Sequence, residues 1–263
     1  LVSIVANVGF VKKDTGDLID MNNKHLVIGK ANRNMQQNFY DRWQNDPSSV
    51  EPSMEDIKCE LQLQALSFFE PLNFLINYRH FKEQIQPWND KWIPYLQREG
   101  VANNRQALTV VGLPGNTPDQ YVSRPEASIA AGRELDETDF NAPTALYNEL
   151  QCLHPLLNYW KPLGRTMLIK ANRGGWFPPH KDEPLLNRTC FRVAVFLGNV
   201  DHESYEWNME GKNVLIKPNR AYYIDTRKTH RTASWADDSI HLIMNIPKTW
   251  ENVIKLVSQT RFF

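Results

Sequence analysis

The chain carries no excess charge of either sign, since Lys+Arg and Asp+Glu each total 30 in 263 residues. With no net field to draw in nucleic acid or an anionic membrane, neither is expected as a partner, although local basic sites stay open. Cysteine is scarce. Cys59, Cys152 and Cys190 form an odd, widely spaced set with no C-x-x-C. That excludes a disulfide framework and points to free thiols in a reducing compartment, so a cytoplasmic location is the expectation. No apolar run is long enough to span a bilayer. The opening Leu1–Phe10 is too short and lacks a basic leader. The chain opens on Leu1 rather than Met, which leaves room for residues upstream. Neither a G-x-S-x-G elbow nor a Cys–His signature, the familiar motifs of side-chain nucleophiles, is present. Internal repeats, low-complexity tracts and an obvious linker are also missing.

What remains is an ordinary globular composition, 41% hydrophobic and 23% charged. Leu1–Val11 and Lys24–Gly29 are β-rich runs flanking a turn at Asp14–Asp17, and read as a hairpin added to the edge of a main sheet. Asn32–Asn45 reads as a short helix. Ser53 and Asp56 fit a capping box, behind which Ile57, Leu61, Ala65 and Phe68 recur at helical spacing. Pro71 interrupts that pattern, and Leu72–Ile85 resumes it. This aromatic, helix-forming segment is expected to pack outside a β core and to supply no metal ligand. Trp88, Trp92 and Tyr95 lie in a loop, either packed on the core or stacked on a substrate. Ala107–Gly112 is a β run, and Asn141–Thr144 starts a helix through Leu153.

From Gly164 the period changes to two. Thr166–Lys170, Cys190–Leu197, Ser204–Asn208, Val214–Lys217, Ala221–Ile224 and Ile240–Asn245 read as short strands. Many short strands at near-even spacing predict a mainly β fold with flanking helices, arranged as a double-stranded β-helix, the cupin-like jelly roll. We expect residues 1–105 to form an N-terminal hairpin and helical support, and residues 106–263 the catalytic β core, within one compact unit.

Chemistry concentrates at Pro178-Pro179-His180-Lys181-Asp182-Glu183. In an extended segment alternate side chains share a face, so His180 and Asp182 point together and Lys181 points away. His230 follows after a β-β turn, on what a jelly roll makes an adjacent strand. Two imidazoles and one carboxylate form the facial ligand set typical of non-haem Fe(II) oxygenases. Without a cysteine in the set, a structural zinc site is disfavoured. By itself His-x-Asp is a common tripeptide; its place at a strand end and the later histidine give it weight. His25, His80, His154 and His202 show no ligand spacing.

Around these residues, Tyr147–Asn148 through Leu156–Leu157, Met167–Lys170, Trp176–Asp182, Cys190–Gly198 and Thr229–His230 resemble the aspartyl/asparaginyl β-hydroxylase branch of the Fe(II)/2-oxoglutarate oxygenases. The resemblance runs from Pro143 to Asn245 and leaves the N-terminal half uncovered. It implies a double-stranded β-helix with His180, Asp182 and His230 as iron ligands, and Fe(II), 2-oxoglutarate and O2 as cofactor and co-substrates. The implied reaction is hydroxylation of an unactivated C–H in an amino-acid or peptide side chain, coupled to decarboxylation of 2-oxoglutarate to succinate.

The family also needs a cation for the distal carboxylate of 2-oxoglutarate, commonly Arg or Lys soon after the second iron histidine. Here Ile240-His241-Leu242 occupies that place, a departure from the pattern. Arg192, in an otherwise apolar strand, is the expected clamp, because an unpaired guanidinium there is costly and its fork suits a carboxylate. Its other reading is an outer-face arginine paired with a surface carboxylate. His241 is expected to add a hydrogen bond to the co-substrate, unless it serves the metal's outer shell or is simply a core histidine, and Asn245, on the same face, is expected to donate to the bound carboxylate. Arg231 should point away from the site, and Arg188 lies in a loop. Two alternatives use the same fold: a cupin-type metalloenzyme without 2-oxoglutarate, for which Glu183 is the nearby fourth ligand, and a non-catalytic jelly-roll binding module.

Overall fold

A computed structural model of the chain describes residues 53–95, 104–120, 123–182, 189–198 and 200–260, together with three N-terminal strands. These are β1 (Phe10–Lys12), β2 (Leu18–Asp20) and β3 (Val27–Ile28). The chain forms two compact units, Leu1–Lys58 and Cys59–Phe263. In the first, β1 pairs with β2 and β2 with β3 in a three-stranded antiparallel sheet of their own. β1 therefore pairs with Leu18–Asp20 rather than with Lys24–Gly29, and among the described residues β1, β2 and β3 pair with one another. The helix expected over Asn32–Asn45 lies outside the described residues.

The strands that follow are β4 (Phe69–Leu75), β5 (Ile93–Pro94), β6 (Arg105–Gly112), β7 (Ala142–Pro143), β8 (Thr166–Ala171), β9 (Trp176–His180), β10 (Cys190–Gly198), β11 (Tyr205–Met209), β12 (Lys212–Asn213), β13 (Arg220–Ile224), β14 (His230–Ser234) and β15 (Ser239–Pro247). An eight-stranded sheet runs β4-β13-β10-β15-β8-β6-β5 with β7 beside β6, and a four-stranded sheet runs β12-β11-β14-β9. From β8 onward the chain passes back and forth between the two sheets. The result is the jelly roll that the strand spacing predicts, mostly antiparallel with flanking helices.

Period-two patterning assigns the two faces of the main sheet. Val193, Val195, Leu197, Leu242, Met244 and Ile246 point outward into one core cluster with side chains of α1 (Met54–Ala65), α2 (Tyr78–Ile85), α4 (Ala145–Glu149), α5 (His154–Leu157) and α6 (Trp250–Thr260). Ala194, Phe196, Met167, Ile169 and Ile243 point inward, against Tyr205, Trp207 and Met209 of the small sheet. Because β10 and β15 are covered on both faces, their sequences read as near-continuous apolar runs. The polar exceptions on the inner face, Arg192, His241 and Asn245, therefore stand out. A further helix, α3 (Arg124–Ala131), follows β6.

Several local expectations change. Ser53 and Asp56 do form the capping box at the start of α1. The helical reading of Leu72–Ile85 holds only for Tyr78–Ile85, since Phe69–Leu75 is an edge strand paired with β13. Pro71 has no N–H to give and is tolerated at that edge. The helix foreseen through Leu153 is split into α4, a 3-10 turn at Gln151–Leu153 and α5. Val214–Lys217 is not a strand. Glu210 and Gly211 both take positive φ, 50° and 79°, so the hairpin turns in two residues and β12 ends at Asn213. No disulfide links Cys59, Cys152 and Cys190. No helix among the described residues is long and apolar enough to cross a membrane.

Candidate metal centre

His230 opens β14 directly opposite His180, which ends β9. Opposed residues on neighbouring strands bring their side chains together, and the two ring centroids are 4.2 Å apart. A register shift in this ladder sets His230 against His180 but Thr232 against Phe177. The extra residue falls at Pro178–Pro179 on an edge strand, where missing N–H groups do no harm, and the bulge turns Phe177 and His180 to the same side.

Asp182 follows two residues later, its backbone N–H donating to the Thr226 carbonyl at 3.0 Å. Oδ1 of Asp182 is 3.6 Å from His180 Nε2 and 4.0 Å from His230 Nε2. One ligand atom from each residue lies within 4.8 Å of the others.

Both imidazoles are held at Nδ1 by the backbone. Nδ1–H of His180 donates to the Pro178 carbonyl at 2.8 Å, and Nδ1–H of His230 to the Lys228 carbonyl at 3.0 Å. That leaves each Nε2 lone pair facing Asp182, the outer-shell arrangement usual for ligating histidines. Burial pushes His230 down to about 4, against the pull of Asp182, so its ring is neutral and able to ligate at neutral pH. Burial alone would raise Asp182, but Arg192, with His180, His230 and Thr226, holds it well below the ordinary carboxylate range. Phe177 packs edge-on to His180 at 4.4 Å and Trp207 stacks on His230 at 5.9 Å, which fixes both rings. The donor set is nitrogen and oxygen with no thiolate, suited to Fe(II) and its first-row neighbours.

These residues line a cavity of about 360 Å³, within the usual range for small-molecule sites. Arg192 enters it from the inner face of β10, where its guanidinium is engaged by Asp182 at 2.5 Å and by Asn245 Oδ1 at 3.2 Å. It is therefore neither an outer-face arginine nor an unengaged cation. Asn245 has little left to offer a ligand, because its Nδ2 donates to Glu137 Oε2 at 2.7 Å. Glu137 also takes both Nε and Nη2 of Arg165, at 2.8 and 2.9 Å. Gly164 permits this approach: a Cβ there would meet the Glu137 carbonyl at 2.8 Å. Burial would raise Glu137, yet Arg165, Arg192 and Arg124 more than offset it and hold the carboxyl low.

His241 lies on the same inner face, 5.3 Å from the Tyr205 ring and 6.3 Å from that of Trp207. Burial and the nearby Arg105 push it down to about 3, so it is neutral and no substitute for the missing cation. Arg231 points outward and pairs with Glu206 at 2.8 Å, as its place in the alternation requires. Glu183 and Arg188 lie outside the described residues.

Sequence reasoning missed a second buried cation of this cavity, Arg105. Arg105, at the head of β6, is 8% exposed. Among the described residues it has no carboxylate partner, and its Nη1 is buried without a hydrogen bond. It rests on two aromatic rings, 5.1 Å from the centroid of Tyr95 and 4.8 Å from that of Phe177. Since Phe177 also touches His180, the guanidinium and the candidate ligand set flank a single ring. Trp207 Nε1 and His241 Nδ1 are further buried polar atoms of this cavity with no partner among the described residues. An arginine preceding a buried β run was the only available signal, and it carries no spacing relation to His180. Tyr95, read as a loop aromatic, is buried here beside Arg105; Trp92 is buried under Lys170 and Trp88 donates to Glu149.

By sequence, no family model and no curated protein matches the chain. Among solved structures it is similar to a prolyl-4-hydroxylase from Pseudomonas putida, at 10% identity over 72% of this chain and 97% of that one, TM-score 0.42. A prolyl hydroxylase from Trichoplax adhaerens, solved with a hypoxia inducible factor oxygen degradation domain peptide fragment, is 15% identical over 80% and 99%, TM-score 0.41. A predicted oxalate decarboxylase from Thermotoga maritima is 19% identical over 36% and 73%, TM-score 0.26. None of these likenesses reaches the level at which a shared reaction follows.

Proposed function

We propose that the chain is an Fe(II)- and 2-oxoglutarate-dependent dioxygenase that hydroxylates an unactivated C–H bond of an amino-acid or peptide side chain, the substrate class implied by the resemblance above. His180, Asp182 and His230 are the metal ligands in this reading. The observation that carries it is a buried guanidinium, Arg105, with no acidic partner among the described residues and in the same cavity as the ligand set. Two histidines and a carboxylate alone would equally suit a cupin-type enzyme that uses no keto acid. A buried cation is different, because leaving it unpaired is costly. The distal carboxylate of 2-oxoglutarate supplies the missing anion, and an arginine fork binds it with charge-assisted hydrogen bonds.

Bound at the ligand set, ferrous iron would supply the O2 chemistry that side chains lack, coupling decarboxylation of 2-oxoglutarate to substrate hydroxylation. The chain's own part is to hold and exclude. His180, Asp182 and His230 would hold the ion. Arg105 anchors the co-substrate's far end, and His241 Nδ1 and Trp207 Nε1 offer neutral hydrogen bonds beside it. Met167, Ile169, Phe177 and Ile243 wall the space and keep out bulk water.

The test is conversion of 2-oxoglutarate to succinate by the purified chain with Fe(II) in air, followed by NMR. Slow succinate formation without added substrate is expected, and none from His180→Ala. A chain that binds metal through these residues yet never consumes 2-oxoglutarate would transfer the site to the cupin reading.

A further inference from the structure

Arg192 and Asn245 stand opposite each other on β10 and β15, and Asn245 neighbours Arg165 across the next strand. The side chains form one continuous row, Asp182–Arg192–Asn245–Glu137–Arg165, joined by the hydrogen bonds given above. Asn245, Glu137 and Arg165 are 0%, 3% and 6% exposed, so the row is fixed within the protein rather than solvated. It ends on the two oxygens of Asp182, which have different surroundings. Oδ1 faces both imidazoles, whereas Oδ2 accepts from Arg192.

We infer that Arg192 is a positioning residue for the metal ligand Asp182: it occupies Oδ2, so that Oδ1 alone is presented to the ion. This rests on the proposed ligand set. A carboxylate with both oxygens available can chelate through both and fill a position that substrate chemistry needs open. A guanidinium on the second oxygen closes that mode and fixes the rotation of the carboxylate. Asn245 holds the guanidinium from behind at Nε, and Glu137 with Arg165 holds Asn245. The role differs in consequence from a co-substrate clamp. A clamp changes affinity for 2-oxoglutarate and leaves metal affinity alone; a positioning residue acts on the metal before any co-substrate is present.

The test uses Co(II) as the probe, added to the whole protein without 2-oxoglutarate. Affinity is read by calorimetry and coordination by the visible d–d bands of Co(II), with thermal melting as the check on folding. Arg192→Met should weaken Co(II) binding by about 10–100-fold, the range typical when an outer-shell partner of a ligand is lost, and should change the visible spectrum. Arg192→Lys keeps the charge but not the fork, and should recover part of the affinity. Asn245→Leu should lose affinity in the same direction but to a smaller extent. If Arg192→Met does not fold, the lysine and Asn245 variants carry the test. Wild-type affinity and spectrum in these variants, with only the constant for 2-oxoglutarate raised, would overturn the inference and restore the clamp. Co(II) binding that survives both His180→Ala and His230→Ala would instead overturn the ligand set itself.

Discussion

Replacing Arg105 with methionine should make the protein more stable and nearly blind to 2-oxoglutarate. The guanidinium is 8% exposed and lacks a carboxylate partner among the described residues. Burial pulls its pKa down, with Tyr95 and Tyr205 opposing the shift weakly. Desolvating such an ion costs several kcal/mol after relaxation. The faces of Tyr95 and Phe177 return about 0.5–2 kcal/mol each. Exchanging a buried ionic group for an apolar one of similar size is commonly neutral or stabilising, by about 1–4 kcal/mol. In a domain of this size each kcal/mol moves Tm by about 2–4 °C, so a rise of several degrees is expected by calorimetry.

Binding moves the other way. Losing a buried charge-assisted contact costs about 2–5 kcal/mol, which at about 1.4 kcal/mol per tenfold weakens 2-oxoglutarate roughly thirtyfold to several thousandfold. Titration of metal-loaded protein reads that constant. An Arg105→Met protein that melts lower and binds 2-oxoglutarate as before would refute the reasoning on both counts, and would mean the guanidinium is held by a group outside the described residues.

Other outcomes follow from the same geometry. His180→Ala, Asp182→Ala and His230→Ala should each abolish Fe(II)-dependent turnover with the fold intact, and Asp182→Glu should fail as well, because the added methylene displaces Oδ1; near wild-type metal affinity in any one removes that residue from the set. His241 titrates near 6.5 when unfolded but is pushed down to about 3 in the fold. Below 6.5 the unfolded chain therefore binds the extra proton, so stability should fall with pH between 6.5 and 3, by about 1.4 kcal/mol per pH unit from this residue. Urea melts of His241→Leu should show a correspondingly flatter acid profile, and parallel profiles would place the ring in water. Hydrogen exchange should find Leu63 and Phe81, buried on α1 and α2, in segments protected equally with and without metal; a large metal-dependent gain would tie those helices to the site.

Much of this was legible from the chain alone. Strands with both faces buried announce themselves as apolar runs, and single polar residues within them, Arg192, His241 and Asn245, could be assigned to the inner face by counting in twos. His180 and Asp182 were readable because their pairing is local. Reading failed where a neighbour outweighed local pattern. Phe69–Leu75 has helical spacing but lies beside β13, whose free edge takes it as a strand. Glu210 and Gly211 shorten a hairpin through backbone torsions that apolar spacing does not report.

The sequence by itself determined the alternation of the β core and the ligand types available to a metal. The tertiary structure alone decided what each cation does. Arg192 looked like an unengaged charge because its partners, Asp182 and Asn245, come from other strands. Arg105 looked unremarkable because nothing near it in the chain is chemical. Hydrogen bonds and ion pairs act over a few ångströms of space, whatever the distance along the chain. Only the crossing of β6, β10 and β15 over one cavity gives one guanidinium its carboxylate and leaves the other without one among the described residues.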